Sequence, residues 1–159
     1  MGFRQIFEMD TADYKGEGSV HIYTDGSAIR NGCVDSACGW AYICMMKGQT
    51  EYTYTGHDGC VGATNNQMEM TAVLRGLQIA ENLGKDKPIT VYSDSKYVIE
   101  TLKGNYTINK NQELWAELIE EVRKFQHIRF EWIKGHANNK YNIEVDRLAV
   151  MESKKHDIF

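Results

Sequence analysis

A single proline, Pro88, interrupts the 159 residues, which excludes a proline-rich linker or a collagen-like chain. The cysteines, Cys33, Cys38, Cys44 and Cys60, form no CxxC pair. That disfavours a zinc site and leaves buried or half-buried free thiols as the expectation. No apolar run approaches the length of a membrane span, so no membrane partner is expected. The opening stretch MGFRQIFEMDTADYKGEG has no basic head followed by an apolar segment, and Ile6 stands where a myristoylation signal needs Ser or Thr. The expected compartment is therefore the cytoplasm, whose reducing conditions also argue against a Cys33–Cys38 disulfide. Excess basic charge is missing too: 18 Lys and Arg against 22 Asp and Glu give a net charge of −4. Such a balance suits a nucleic-acid partner only if a local patch, or cations bound by converging carboxylates, overrides it.

What is present is the make-up of one soluble globular domain, long enough to bury a core. Residues 1–18 read as a tail or lead-in and residues 19–159 as the domain. Strands are expected at residues 19–27, 37–46 and 50–56, the last two joined by Lys47-Gly48-Gln49, a gap that suits a hairpin. Helical spacing then takes over at Asn65, where Met70, Val73, Leu74, Leu77 and Ala80 form one stripe, and Gly84 and Pro88 end it. A strand over residues 89–93, a short helix capped by Ser95 and stopped near Gly104, a helix over 111–125, a strand over 128–133 and a last helix over 141–154 complete the order β-β-β-α-β-α-α-β-α. An antiparallel meander followed by strands reached through helices predicts an α/β protein with a mixed sheet and helices packed on its faces.

Two apolar strands carry an aspartate to the same kind of position: HIYTDGS places Asp25 beside the Gly26-Ser27 turn signal, and ITVYSDSK places Asp94 beside Ser95. If those strands are adjacent and parallel, both carboxylates enter the crevice at the strand ends where α/β sheets bind ligands. Taken singly, Asp25 reads better as a turn former before Gly26 and Asp94 as a helix-start residue beside Ser95. Glu69 lies on the flank of the first long helix beside Ala72, Val73, Gly76 and Ala80, small residues that would let the helix approach the sheet. Alone it reads as a solvated boundary glutamate. Asp146 falls on the helical face of Ile143, Ala149 and Val150, where an ionised carboxylate is costly unless paired, with Arg147 for example, or bound to metal. Four such acids are a sensible ligand supply for a pair of hard divalent cations.

The motifs IYTDGS, TNNQMEM, YSDSKYV and WIKGHANNKYNIEVDRLA, in this order from about Val20 to Met151, resemble those of type 1 ribonuclease H. The resemblance implies a five-stranded sheet in the order 3-2-1-4-5, dependence on two Mg²⁺ ions (or Mn²⁺) and hydrolysis of the RNA strand of RNA–DNA hybrids to 5′-phosphate and 3′-hydroxyl ends. It implies metal binding by Asp25, Glu69, Asp94 and Asp146. It also implies a catalytic histidine at His136, on a loop ten residues before the last acid. The pair Thr64-Asn65 matches one that holds a DNA-strand phosphate, and Asn31 matches an asparagine that contacts the RNA strand.

Asn66 and Gln67, with the backbones of Gly26 and Ala28, are further candidate RNA contacts, because a 2′-hydroxyl or base edge needs groups that donate and accept. For Thr64-Asn65, helix capping is the plain alternative, and both roles are compatible. The chain departs from the family in reading AIRNGCVDSACG after the first strand and GNYTINKNQ where many bacterial members carry a basic, tryptophan-rich protrusion. Weaker grip on the hybrid and stronger dependence on metal and salt are the expected consequences. A monomer is expected. The competing readings are a non-catalytic hybrid-binding module, which gains nothing from concentrated negative charge, and a strand-transfer enzyme of the same fold, which usually spaces its acids differently and lacks the GHANN loop.

Overall fold

A computed structural model describes residues 10–48, 51–135 and 138–158. Nine elements follow one another: β1 (Val20–Ile29), β2 (Ala37–Met46), β3 (Tyr52–Val61), α1 (Asn65–Leu83), β4 (Ile89–Ser93), α2 (Lys96–Leu102), α3 (Gln112–Val122), β5 (Ile128–Trp132) and α4 (Lys140–Lys155). The sheet order is β3-β2-β1-β4-β5. β1, β2 and β3 pair antiparallel, and β4 joins β1 and β5 in parallel. This is the mixed α/β sheet expected from the sequence.

Strand alternation divides the apolar residues between two layers. Ile22, Tyr42, Cys44 and Val91 face a core shared with α1, α2 and α3, where Met70, Leu77, Ile99, Leu102, Trp115 and Leu118 are buried. Tyr23, Ala41 and Ile43 face the opposite way, onto Val145, Leu148 and Ala149 of α4. Each fully buried Leu or Ile contributes about 1.5–3 kcal/mol relative to exposure, so the first layer holds most of the apolar stabilisation.

Two strands outrun their sequence signals. β1 continues through Gly26 and Ser27 to Ile29, because β2 pairs with it as far as Ile29↔Ala37. Gly26-Ser27 is therefore strand, and the chain turns at Arg30, whose φ is 58°. β3 runs past Gly56 through HDGCV, a poor strand sequence held by pairing with β2 to Ala37↔Val61. The predicted start of β3 at Thr50 and the turn residue Gln49 lie outside the described residues. The described part of the lead-in lies along the sheet: Asp10 pairs with His127 at 3.2 Å, and Arg129 of β5 covers the Tyr14 ring at 4.7 Å. Among the described residues, no helix is long and apolar enough to cross a membrane.

Candidate active site

The parallel register of β1 and β4 runs from Val20↔Ile89 to Tyr23↔Tyr92. Asp25 and Asp94 each lie two residues beyond its last pair, so both carboxylates come to the same end of the sheet. Beyond that point the strands part. β1 stays paired with β2, Asp25 opposite Ala41. The chain after β4 turns into α2, with Ser95 Oγ accepting from Val98 N at 3.2 Å to cap it.

Glu69 reaches the same place from α1. A Cβ added at Gly26 would stand 2.5 Å from the Glu69 backbone nitrogen and 2.7 Å from the Met68 carbonyl carbon. Only glycine lets the helix lie this close to β1. Ala72, Gly76 and Ala80 are buried along the same helix, as their small size predicted. Glu69 is itself buried, 4% exposed, and is no boundary residue.

Asp25, Glu69 and Asp94 offer carboxylate oxygens that all lie within 4.8 Å of one another. Glu69 Oε1 is buried with no hydrogen-bond partner among the described residues. Asp25 Oδ1 accepts from Gly26 N at 2.9 Å. Burial, then the charges of Asp94 and Asp146, push the Asp25 pKa up to about 8. Burial, followed by Asp25 and Asp94, raises that of Glu69 well above the usual range. Without a cation the group can relieve its repulsion only by holding protons. An orphaned buried oxygen and three oxygen donors of like charge therefore fit a hard divalent cation.

Asp146 stands at the edge of this group. The face assigned to it from the sequence is not the buried one. α4 buries Asn142, Val145, Leu148, Ala149, Glu152 and Ser153, while Asp146 is exposed and Ile143 is 54% exposed. The burial penalty argued for it therefore does not exist. Its carboxylate faces Asp25, and with Asp94 and Asn142 it lines a small cleft beside the cluster. Arg147, the alternative partner, is taken by Glu144 at 2.6 and 3.0 Å. His136 lies outside the described residues. Gly135, immediately before it, lies beside the cluster, where an added Cβ would be 3.5 Å from Asp94 Oδ2. Asn139, after it, caps α4 by accepting from Tyr141 N and Asn142 N.

The candidate substrate contacts gather at the N-terminus of α1. Thr64 and Gln67 form a reciprocal capping box. Asn31 Oδ1 accepts from Asn65 N at 2.9 Å, so the unusual AIRNGCVDSACG segment still delivers its asparagine to this rim. Asn66 is exposed next to it. Gly26 has its N–H turned to Asp25, and Ala28 pairs with Cys38 in the sheet. One rim residue escaped the sequence reading. Asn111, at φ 57°, accepts from Gln67 Nε2 at 3.2 Å and donates to Tyr97 Oη at 3.2 Å; Trp115 Nε1 meets the same Oη at 2.9 Å. Asparagine is among the few residues that tolerate this left-handed backbone, which was the only local signal.

Comparison with known proteins places this geometry. The RNase H family profile matches residues 17–154. A "Ribonuclease H" from Thermoanaerobacter sp. (strain X514) is 36% identical over 150 residues, covering 86% of this chain and 90% of that one. A "Ribonuclease HI" from Rickettsia conorii is 35% identical over 147 residues, covering 84% and 90%. Among solved structures, the N-terminal RNase H domain of a Mycobacterium tuberculosis protein, fused to maltose binding protein, superposes with a TM-score of 0.75 at 25% identity over 86% of this chain and 94% of that one. LC11-RNase H1, in complex with an RNA/DNA hybrid, shares the fold with a TM-score of 0.72 at 20% identity over 86% and 98%. The chain belongs to the ribonuclease H family of endoribonucleases.

Proposed function

We propose that the protein hydrolyses the RNA strand of RNA–DNA hybrids with two bound Mg²⁺ ions, or Mn²⁺, leaving 5′-phosphate and 3′-hydroxyl ends. One observation supports this above the others: carboxylates from β1, α1 and the turn after β4 converge within 4.8 Å, and among the described residues one of their buried oxygens, Glu69 Oε1, has no donor. A scaffold gains nothing from that repulsion; a cation site requires it.

In this reading Asp25, Glu69, Asp94 and Asp146 hold the ions. Divalent cations at such a site lower the pKa of a bound water and stabilise charge on the phosphodiester oxygens. The protein's own part is to fix the acids before substrate arrives. Gly26 N holds Asp25, the α2 cap fixes the turn that carries Asp94, and the close packing of α1 on β1 fixes Glu69. His136 serves in proton transfer or product release, since imidazole titrates near neutral pH. Asn31, Thr64, Asn65, Asn66 and Gln67, with the backbones of Gly26 and Ala28, hold the hybrid across the rim. The protein acts as a monomer in the cytoplasm.

The test is incubation with end-labelled hybrid in Mg²⁺, with and without EDTA, with DNA duplex and RNA duplex as controls. Cleavage of the RNA strand of the hybrid alone, abolished by EDTA, is expected. Binding without cleavage would favour a binding module. Strand breakage in the DNA duplex would favour a strand-transfer enzyme.

A further inference from the structure

Lys96 sits two residues after Asp94, at the start of α2. A lysine stem is long and flexible, and three converging carboxylates are a strong attractor for an ammonium. A lysine in the cluster would occupy the cation position from within the chain. The structure shows it elsewhere. Lys96 Nζ lies 4.7 Å from the centre of the Trp132 ring, and among the described residues Lys96 enters no ion pair.

Trp132 is itself held in place. It is the last residue of β5, opposite Ser93 in the parallel register. Its indole N–H donates to the Asp94 carbonyl at 2.9 Å. The residue remains 39% exposed, a large apolar surface that no packing demand explains. One side chain thus ties down the backbone of a cluster acid by its edge and holds the neighbouring cation by its face.

We infer that Trp132 is a positioning residue of the acid site, keeping Lys96 over its ring and out of the Asp25–Glu69–Asp94 cluster so that the cluster stays open to divalent cations. The inference rests on the cation-binding reading proposed above. A cation–π contact at an exposed site is weak but sufficient to bias a flexible side chain, and its loss corresponds to a roughly twofold to fivefold change in an equilibrium.

The test is Mn²⁺ binding by calorimetry, without substrate, to the wild type, Trp132→Leu, Lys96→Met and the double variant. Trp132→Leu is expected to bind Mn²⁺ roughly twofold to fivefold more weakly. Lys96→Met alone binds no more weakly than wild type, and added to Trp132→Leu it restores wild-type affinity. A purely structural tryptophan would not be rescued by removing a lysine. Unchanged affinity in Trp132→Leu, or a double variant as weak as the single, overturns the inference. Should Trp132→Leu not fold, the NMR shifts of the Lys96 ε-protons in the wild type decide. Ring-current displacement upfield of the other lysines is expected, and its absence overturns the inference. A wild type that binds no Mn²⁺ removes the cation reading itself, and this inference with it.

Discussion

Asp25 and Asp94 are register partners without being paired: the hydrogen-bonded run of β1 and β4 ends at Tyr23↔Tyr92, and each aspartate lies two residues farther on. The sheet carries both to one level, and the parting of the strands opens the space between them. Glu69 then closes that space from α1. Asp94→Asn and Glu69→Gln each remove charge from this group with little change of shape. Since outer-shell partners of metal ligands already cost about 10–100-fold, each variant should lose more than about a hundredfold of hybrid cleavage. Steady-state rates in Mg²⁺, with melting temperature as the control for folding, check this.

The raised Asp25 pKa has a defined sign in stability. Its native value of about 8 lies above its ordinary value of 3.8. Between them the native state holds a proton that the unfolded chain has released, so this group makes the metal-free protein less stable as pH rises through that window. Asp25→Asn lacks the effect. In EDTA its melting temperature should gain on that of wild type progressively from about pH 5 to pH 8. Millimolar Mg²⁺ should narrow the gap at pH 8 by stabilising wild type alone. Parallel melting curves for the two proteins across this range would contradict the assignment.

Gly26→Ala tests the close approach that delivers Glu69. A methyl group 2.5 Å from the Glu69 nitrogen must push α1 off β1. Overpacking of this kind costs about 1–3 kcal/mol, measurable by urea denaturation. Weakened Mn²⁺ binding should accompany it if Glu69, which the displaced element carries, holds the ion as proposed. A variant as stable as wild type, with unchanged metal affinity, would show that the helix has room to spare.

Hybrid binding should depend on metal but, against the expectation from the sequence, fall only shallowly with salt, because few phosphate contacts release few counterions. The GNYTINKNQ segment that follows α2 contains a single lysine, Lys110, with Lys103 just before it, and the chain carries net charge −4. A chimera with a basic protrusion in that segment should bind hybrid more tightly and show a steeper fall of log affinity with log salt, by about 0.7–0.9 per phosphate contact added. Identical affinities and slopes would remove the segment from the account of binding.

Much of this was legible in the sequence, because local signals and tertiary demands coincided. α1 begins after the Thr64 cap and ends before Gly84, and the predicted residues are the observed ones. β2 and β4 were equally clear, being apolar strands between turn residues. The failures came where distant contacts decide. Nothing in HDGCV announces strand; its partner β2 does. Gly26 read as a turn signal because glycine serves both turns and close approaches, and the helix that needs the space begins 39 residues later. Asp146 was assigned to an apolar face through Ile143, which α4 leaves in solvent. The acids themselves were visible, but the tightness of three of them was not, since it depends on that glycine.

The parallel pairing of β1 with β4 has a kinetic corollary. In the chain 59 residues separate the end of one from the start of the other, and α1, which lies among them, must dock on β1. The acid pocket therefore cannot exist in a partly assembled chain, and its repulsion is borne only when the last long-range contacts close. Divalent ions should then slow the unfolding rate and leave the refolding rate nearly untouched, as expected for an interaction absent from the transition state. Mg²⁺ would act as a latch on the finished protein rather than as a template for making it.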